Sequence, residues 1–288
     1  MSSNGSVPAT TTGGSTRLIG SLVILVLGAI ALYYLYDYMY STSALSVQTV
    51  MVGGPVSSTA TNGIDNYPAT SQDVKLNQYI FTGGTMSVSF WMYVTGQGTG
   101  GNTSCKHILS LGTSTAGSAN PTLLIALGGA SNVLYVRAND GSSGSQSWQL
   151  GNFMTNPGLS TAPCNIQNIE YGRWVCVTVV LNNNMSDVYL DGKLSRSCVL
   201  QGQYQVAQGS AGAPLAFSFC LPKASDDSSA ATPWSWNGSF ANCAFYSYAL
   251  APDQVYRIYM AGPSGGGANL WSQIQAFFGK NIVATKTA

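Results

Sequence analysis

His107 is the sole histidine and Glu170 the sole glutamate of the chain. Any Ser-His-Asp or Cys-His arrangement would have to use His107. It stands beside Lys106 in a loop-to-strand passage, where a surface or capping role is expected. Six cysteines, Cys105, Cys164, Cys176, Cys198, Cys220 and Cys243, lie far apart with no C-x-x-C pair, which disfavours zinc. Their even number permits three disulfides in an oxidising compartment. The alternative is that several are small buried hydrophobes, Cys176 and Cys220 first, because both fall in apolar strands. Sugar binding would need aromatic faces beside polar groups, and Trp234, Trp236 and Trp148 flank polar loops. Asn102-Thr103-Ser104, Asn184-Met185-Ser186 and Asn237-Gly238-Ser239 match the acceptor pattern for N-glycosylation, which matters only in a translocated domain.

The elements that must position these residues read mainly as sheet. Trp174 to Leu181 is a β-branched and aromatic run with apolar residues on both faces, so it belongs inside a sheet rather than at its edge. A polar turn over Asn182 to Ser186 and a short strand over Asp187 to Leu190 follow. Asp191-Gly192 then supplies the positive φ angles of a tight hairpin. In Met86 to Val94, Met86, Val88, Phe90, Met92 and Val94 alternate with Ser87, Ser89, Trp91 and Tyr93. One face enters a core while the other mixes aromatic and polar groups. Strands are also expected at Ala44 to Val52, Ile108 to Gly112, Leu123 to Leu127, Val133 to Ala138, Gln146 to Leu150, Leu215 to Leu221 and Phe240 to Tyr248, with loop from Phe153 to Asn168. Pro252 opens a helix of about two turns through Met260.

The flanks differ from this core. Residues 1–16 form a polar Ser, Thr and Gly tail without charge. Residues 17–40 hold the uncharged run Leu18 to Tyr36. At about 1.5 Å per residue it reaches about 28 Å, close to the roughly 30 Å of bilayer hydrocarbon. Leu18, Leu25 and Leu32 with Tyr33 and Tyr36 are the expected anchor residues, the tyrosines forming an interfacial belt. A cleaved signal peptide ending among Ser41, Ser43 and Ala44 is the alternative, although the apolar run is long for one. Residues 41–72 are a connection with the first strand, and 263–288 are a Gly-rich linker with a short amphipathic helix. Leu270, Trp271, Ile274, Phe277 and Phe278 share one face of that helix and call for a partner: the domain itself, another chain or the membrane interface.

Charge is scarce. Asp, Glu, Lys and Arg make up 7% of residues and net to +1, against about a quarter of residues in ordinary soluble domains. Phosphate neutralisation needs clustered Lys and Arg, so nucleic acid is excluded as a partner. A surface of Ser, Thr, Asn, Gln and Gly with net charge near zero favours contact between molecules.

Trp174-x-x-Val177-x-Val179, the variable turn and Val188-Tyr-Leu-Asp-Gly-Lys-Leu194 resemble the central hairpin of laminin-G-like, concanavalin A-like lectin/glucanase domains. Phe81 to Val94 resembles an early strand of that family, and Trp236 to Met260 its closing strand and short helix. The resemblance implies an all-β concanavalin A-like jelly-roll sandwich over 73–262, preceded by one transmembrane helix and followed by a short amphipathic helix. It departs at Ala241, Asn242 and Cys243, where the family often carries an acidic pair. The family's glucanases use a Glu-x-Asp-x-x-Glu type motif, absent here, which disfavours glycoside hydrolysis. Trp236 falls where the family enters its closing strand, a core position. Many relatives bind calcium through oxygen ligands, for which Asp140, Asp226 and Asp227 are the candidates beside a turn and loop role. No cofactor is otherwise expected.

These observations lead to the expectation of a non-enzymatic, single-pass membrane protein. Its partners would be a lipid bilayer and neighbouring proteins of a large assembly, as in a minor capsid protein in the virion of a large icosahedral DNA virus. A membrane-tethered lectin that binds glycans is the alternative.

Overall fold

The computed structural model describes residues 13–40, 48–52, 55–58, 84–96, 98, 104–113, 121–141, 150–155, 164–206, 215–220 and 234–264. Outside them lie most of the polar tail, Asn102, Trp148, Asp226, Asp227 and the helix face from Leu270 to Phe278. The chain divides into two compact units, Met1–Ser46 and Val47–Ala288.

The first unit contains helix α1, Gly13–Tyr40. All side chains described along it, residues 20–35, are exposed, with Leu22 at 67%, Ile24 and Leu25 at 72% and Leu32 at 68%. Leu, Ile, Val and Ala surround the axis, so this helix has no polar face to give to water. The expected bilayer span over 17–40 is not shown: among the described residues no helix is long and apolar enough to cross a membrane.

The second unit is a sandwich of two antiparallel sheets. Its strands are β1 (Gln48–Val52), β2 (Val56–Ser57), β3 (Thr85–Gly96), β4 (Lys106–Thr113), β5 (Leu123–Leu127) and β6 (Leu134–Ala138). Then come helix α2 (Leu150–Thr155), β7 (Cys164–Ile166), β8 (Trp174–Asn182), β9 (Met185–Leu190), β10 (Lys193–Val199), β11 (Leu215–Phe219), β12 (Asn237–Tyr246) and helix α3 (Pro252–Ala261). Among the described residues one sheet runs β1-β12-β3-β8-β9-β10, with β2 also on β12, and the other β11-β4-β5-β6-β7. β8 lies between β3 and β9, the interior place its two apolar faces require.

Alternation fills the space between the sheets. Met86, Val88, Phe90, Met92 and Val94 are buried there with Leu123, Ile125 and Leu127 of the facing sheet. Phe240 stacks on both Phe90, at 5.4 Å, and Phe219, at 5.1 Å. The hairpin chemistry is as written: Asp191 and Gly192 take φ 49° and 76° between β9 and β10. Pro252 opens α3, where its missing N–H costs little.

Two expectations change. Leu150 begins a helix rather than ending a strand, and Phe153 to Asn168 includes the end of α2 and all of β7 rather than continuous loop. Phe153 and Met154 are buried against Cys105, Leu124, Ala126 and Trp234, so tertiary packing stabilises a one-turn helix that local propensity would not sustain.

Candidate functional site

The outer face of the seven-stranded sheet is built from the residues that alternate with the core of β3 and β8. Ser87 lies opposite Val180, Ser89 opposite Thr178, Trp91 opposite Cys176 and Tyr93 opposite Trp174. α3 packs on part of this face. Its approach is fixed at Ser87, whose Oγ donates to the Tyr248 carbonyl at 2.8 Å and accepts the Leu250 N–H at 3.0 Å. Farther along, Tyr259 stacks on Trp91 at 5.8 Å and 18°. Asn242, at φ 44° in a bulge of β12, donates from Nδ2 to the Gly262 carbonyl at 3.2 Å. On the same face the buried Ser89 and Thr178 hydroxyls bond each other at 2.9 Å, so these polar groups are satisfied.

At one end of this face Tyr93 and Trp174 are only half-buried. Their rings lie 5.6 Å apart and tilted by 56°. Beside them Arg173 bridges Glu170 through Nε and Asp191 through Nη1, the latter at 2.7 Å. Asp191 Oδ1 accepts the Cys176 N–H at 2.9 Å, which locks the hairpin turn onto β8. The hydrogen bond to Glu170, then that to Asp191, holds the Arg173 guanidinium above its ordinary range, so it stays charged. Aromatic surface next to paired charges can hold a polar ligand by stacking and hydrogen bonds. Glu170, the sole glutamate, is engaged by this guanidinium.

The outer face of the five-stranded sheet contains the other candidate chemistry, and it is sealed. His107 is fully buried, contrary to the surface or capping role expected of it. Its Nε2 shares a hydrogen bond with Ser110 Oγ at 2.9 Å, its N–H donates to the Trp234 carbonyl at 3.0 Å, and its carbonyl accepts from Trp236 Nε1 at 3.1 Å. Burial pushes the imidazole down to about 3, so it is neutral at physiological pH. Lys106 alone does not signal this in sequence, because the lysine is buried too.

Arg137, 2% exposed, lies over the rings of Tyr135 and Phe153 at 5.5 and 5.4 Å and donates from Nη1 to the Val136 carbonyl at 2.9 Å. Burial lowers its pKa to about 10, and it remains a cation at neutral pH.

Of the three tryptophans considered for sugar stacking, Trp148 lies outside the described residues, and Trp234 and Trp236 are buried, Trp236 in the core position that the family resemblance implies. Trp236 is 0% exposed in the core between the sheets, and Trp234 is 4% exposed against Phe153 and Met154. A ring with no open face cannot stack on a ligand. Asp140 is also buried, and its Oδ2 accepts the Gln201 N–H at 3.1 Å. Among the described residues no three His, Cys, Asp or Glu side chains come together to hold a metal. Leu25, Leu32 and Tyr33 are exposed on α1, and Leu18 and Tyr36 fall within the same helix.

Of the six cysteines, Cys164 and Cys198 form one disulfide and the other four are thiols. The bond joins β7 of one sheet to β10 of the other and so ties the sandwich along one edge. Cys105, Cys176 and Cys243 are buried as small hydrophobes, and Cys220 is half-buried. Burial raises the Cys105 thiol to about 11 and Cys176 to about 12, which makes neither a nucleophile at neutral pH.

Sequence reasoning missed Tyr93, Trp174, Arg173 and Asp191 as a group. The signal available was cross-strand: period-two alternation puts Tyr93 and Trp174 on one side of adjacent strands, and only the register makes them neighbours.

The family model of the concanavalin A-like lectin/glucanases superfamily matches residues 68–256. Among solved structures, the chain is similar to Trypanosoma rangeli sialidase, at 10% identity over 63% of this chain and 23% of that one, with a TM-score of 0.40. It is also similar to domain 4 of an extracellular arabinanase from Geobacillus stearothermophilus in complex with arabinotriose, at 16% identity over 63% and 69% of the two chains, TM-score 0.37. The binding domain of botulinum neurotoxin serotype G is similar at 11% identity over 61% and 36%, TM-score 0.37. The chain spans about a quarter of the length of the sialidase chains it matches. No curated protein matches it. With its two antiparallel sheets and the family match over most of its sandwich, the chain belongs to the concanavalin A-like lectin/glucanases superfamily.

Proposed function

We propose that the protein is a non-enzymatic interaction module attached to a lipid bilayer through α1, working by contact with neighbouring molecules. The observation that carries this reading is the exposed apolar surface of α1, unrelieved by any charged side chain from residue 20 to residue 35. Such a surface in water is unfavourable by about 25 cal/mol per Å². The uncharged sequence Leu18 to Tyr36, inside helix Gly13–Tyr40, extends the apolar stretch to about 28 Å. The finer reading is a structural component of a large membrane-containing assembly, of the kind a minor capsid protein is in the virion of an icosahedral DNA virus. Its support is the shortage of charged side chains, 7% of residues in the whole sequence.

The absence of turnover is part of the same proposal. Its support is the burial of His107 and the engagement of Glu170 by Arg173. Deleting residues 18–36 and measuring retention on phospholipid vesicles tests the attachment: retention lost with the sandwich still folded is expected, and unchanged retention contradicts it.

One observation favours a second reading as a tethered glycan-binding module, namely the half-buried Tyr93 and Trp174 rings beside Asp191 and Glu170. A glycan array decides between them. Binding that Trp174→Ala abolishes, while Trp234→Ala loses it only by unfolding, would select the lectin.

A further inference from the structure

We infer that Asn184 is an N-glycosylation site and that the sandwich matures in an oxidising, translocated compartment. Two independent observations meet there. The first is the disulfide between Cys164 and Cys198, a bond that forms and persists where thiols are not held reduced. The second is the place of the acceptor. Asn184-Met185-Ser186 is at the β8–β9 turn, with Asn184 exposed and the adjacent Met185 42% exposed. Asn183 takes φ 54° at this tip, and the turn's backbone is held from the other side: Leu200 N–H donates to the Asn184 carbonyl at 2.7 Å and Tyr204 N–H to the Asn183 carbonyl at 3.0 Å. The backbone is therefore held while Asn184 stays exposed to solvent at the tip, where an attached hydrophilic group would lie.

Asn237, the other described acceptor, is a weaker site. It lies within β12 between the buried Trp236 and Gly238, where a Cβ on the glycine would come within 1.9 Å of the Tyr93 carbonyl oxygen. Chain packed that closely leaves little freedom around an attached glycan.

The chemistry is a group transfer without redox change. The Asn184 amide nitrogen forms a bond to the anomeric carbon of a lipid-linked oligosaccharide diphosphate, the carbon-oxygen bond to the diphosphate breaks, and the amide loses one proton. The glycan would cover part of a surface that carries little charge of its own, supplying the hydration that scarce Lys, Arg, Asp and Glu do not.

This inference rests on the disulfide and the exposed turn, not on the attachment of α1, so the two fail separately. The full chain is expressed in a eukaryotic secretory host and analysed by non-reducing peptide mapping before and after enzymatic release of N-glycans. The expected result is the Cys164–Cys198 cross-link together with a glycan on Asn184, converted to aspartate on release. Asn184→Gln should lose that one increment in gel mobility and keep the cross-link, while Ser186→Thr, which preserves the acceptor pattern, should retain both. Unmodified Asn184 in cross-linked protein overturns the site. Unmodified Asn184 with free thiols at Cys164 and Cys198 overturns the compartment and the site together.

Discussion

The two outer faces of the sandwich are closed by different means. Over the seven-stranded sheet, α3 sets Tyr259 on Trp91, on a face whose neutral hydroxyls satisfy one another, and the cover stops short of Tyr93 and Trp174. Over the five-stranded sheet, α2 and Trp234 enclose a histidine and an arginine. Burying ionisable groups costs several kcal/mol unless they are paired, hydrogen-bonded or neutralised. His107 meets that cost by giving up its proton, and Arg137 by lying across two aromatic rings. One face can therefore be uncovered cheaply and is suited to contact, whereas the other is a second core.

The largest effect expected from this contrast is at Trp234. Trp234→Ala should destabilise the sandwich by about 3–5 kcal/mol in urea unfolding, because it opens the cover over His107 and Arg137. Next comes the bond that holds the two sheets together at one edge. Replacing Cys164 and Cys198 by serine should cost about 2–4 kcal/mol, given the sequence separation of 34, and leave the two faces otherwise alike in hydrogen exchange.

Acid should act through the sealed face. His107 is held near 3, below the ordinary histidine value of 6.5, so the unfolded chain takes up a proton that the folded chain refuses. The stability tied to it is present above about pH 6.5 and lost as pH falls toward 3, at up to about 1.4 kcal/mol per pH unit. His107→Gln should flatten that part of the profile. The smallest effect is expected at the other cover: Tyr259→Ala should cost only about 1–2 kcal/mol, since Tyr259 is only half-buried. A Tyr259 cost equal to that of Trp234 would erase the distinction between the faces.

Much of the fold is legible wherever the determinants are local. Asp191-Gly192 writes a hairpin turn in two residues, and alternation from Met86 to Val94 separates core from outer face without help from any other strand. The candidate site is less legible because its determinants are not local. Trp234 reads as an aromatic beside polar loops, yet it is buried against Phe153 and Met154, while the core place that the family resemblance implies for Trp236 is held by its hydrogen bond to the His107 carbonyl, 129 positions away. The disulfide partner of Cys164 depends on which edge strands of the two sheets meet, β7 and β10, a fact of topology that spacing does not hold. α2 is legible least, as its turn exists only because Phe153 and Met154 have a sheet to pack on. Conversely, the pairing of Tyr93 with Trp174 was recoverable from alternation once a register was assumed.

Flotation of the full chain with phospholipid vesicles on a density gradient, after a high-salt wash, tests the central claim most directly. The account predicts that the full chain rises with the lipid, and that a chain lacking residues 18–36 stays at the bottom with its sandwich folded. A full-length, folded protein that remains in the aqueous fraction would contradict it.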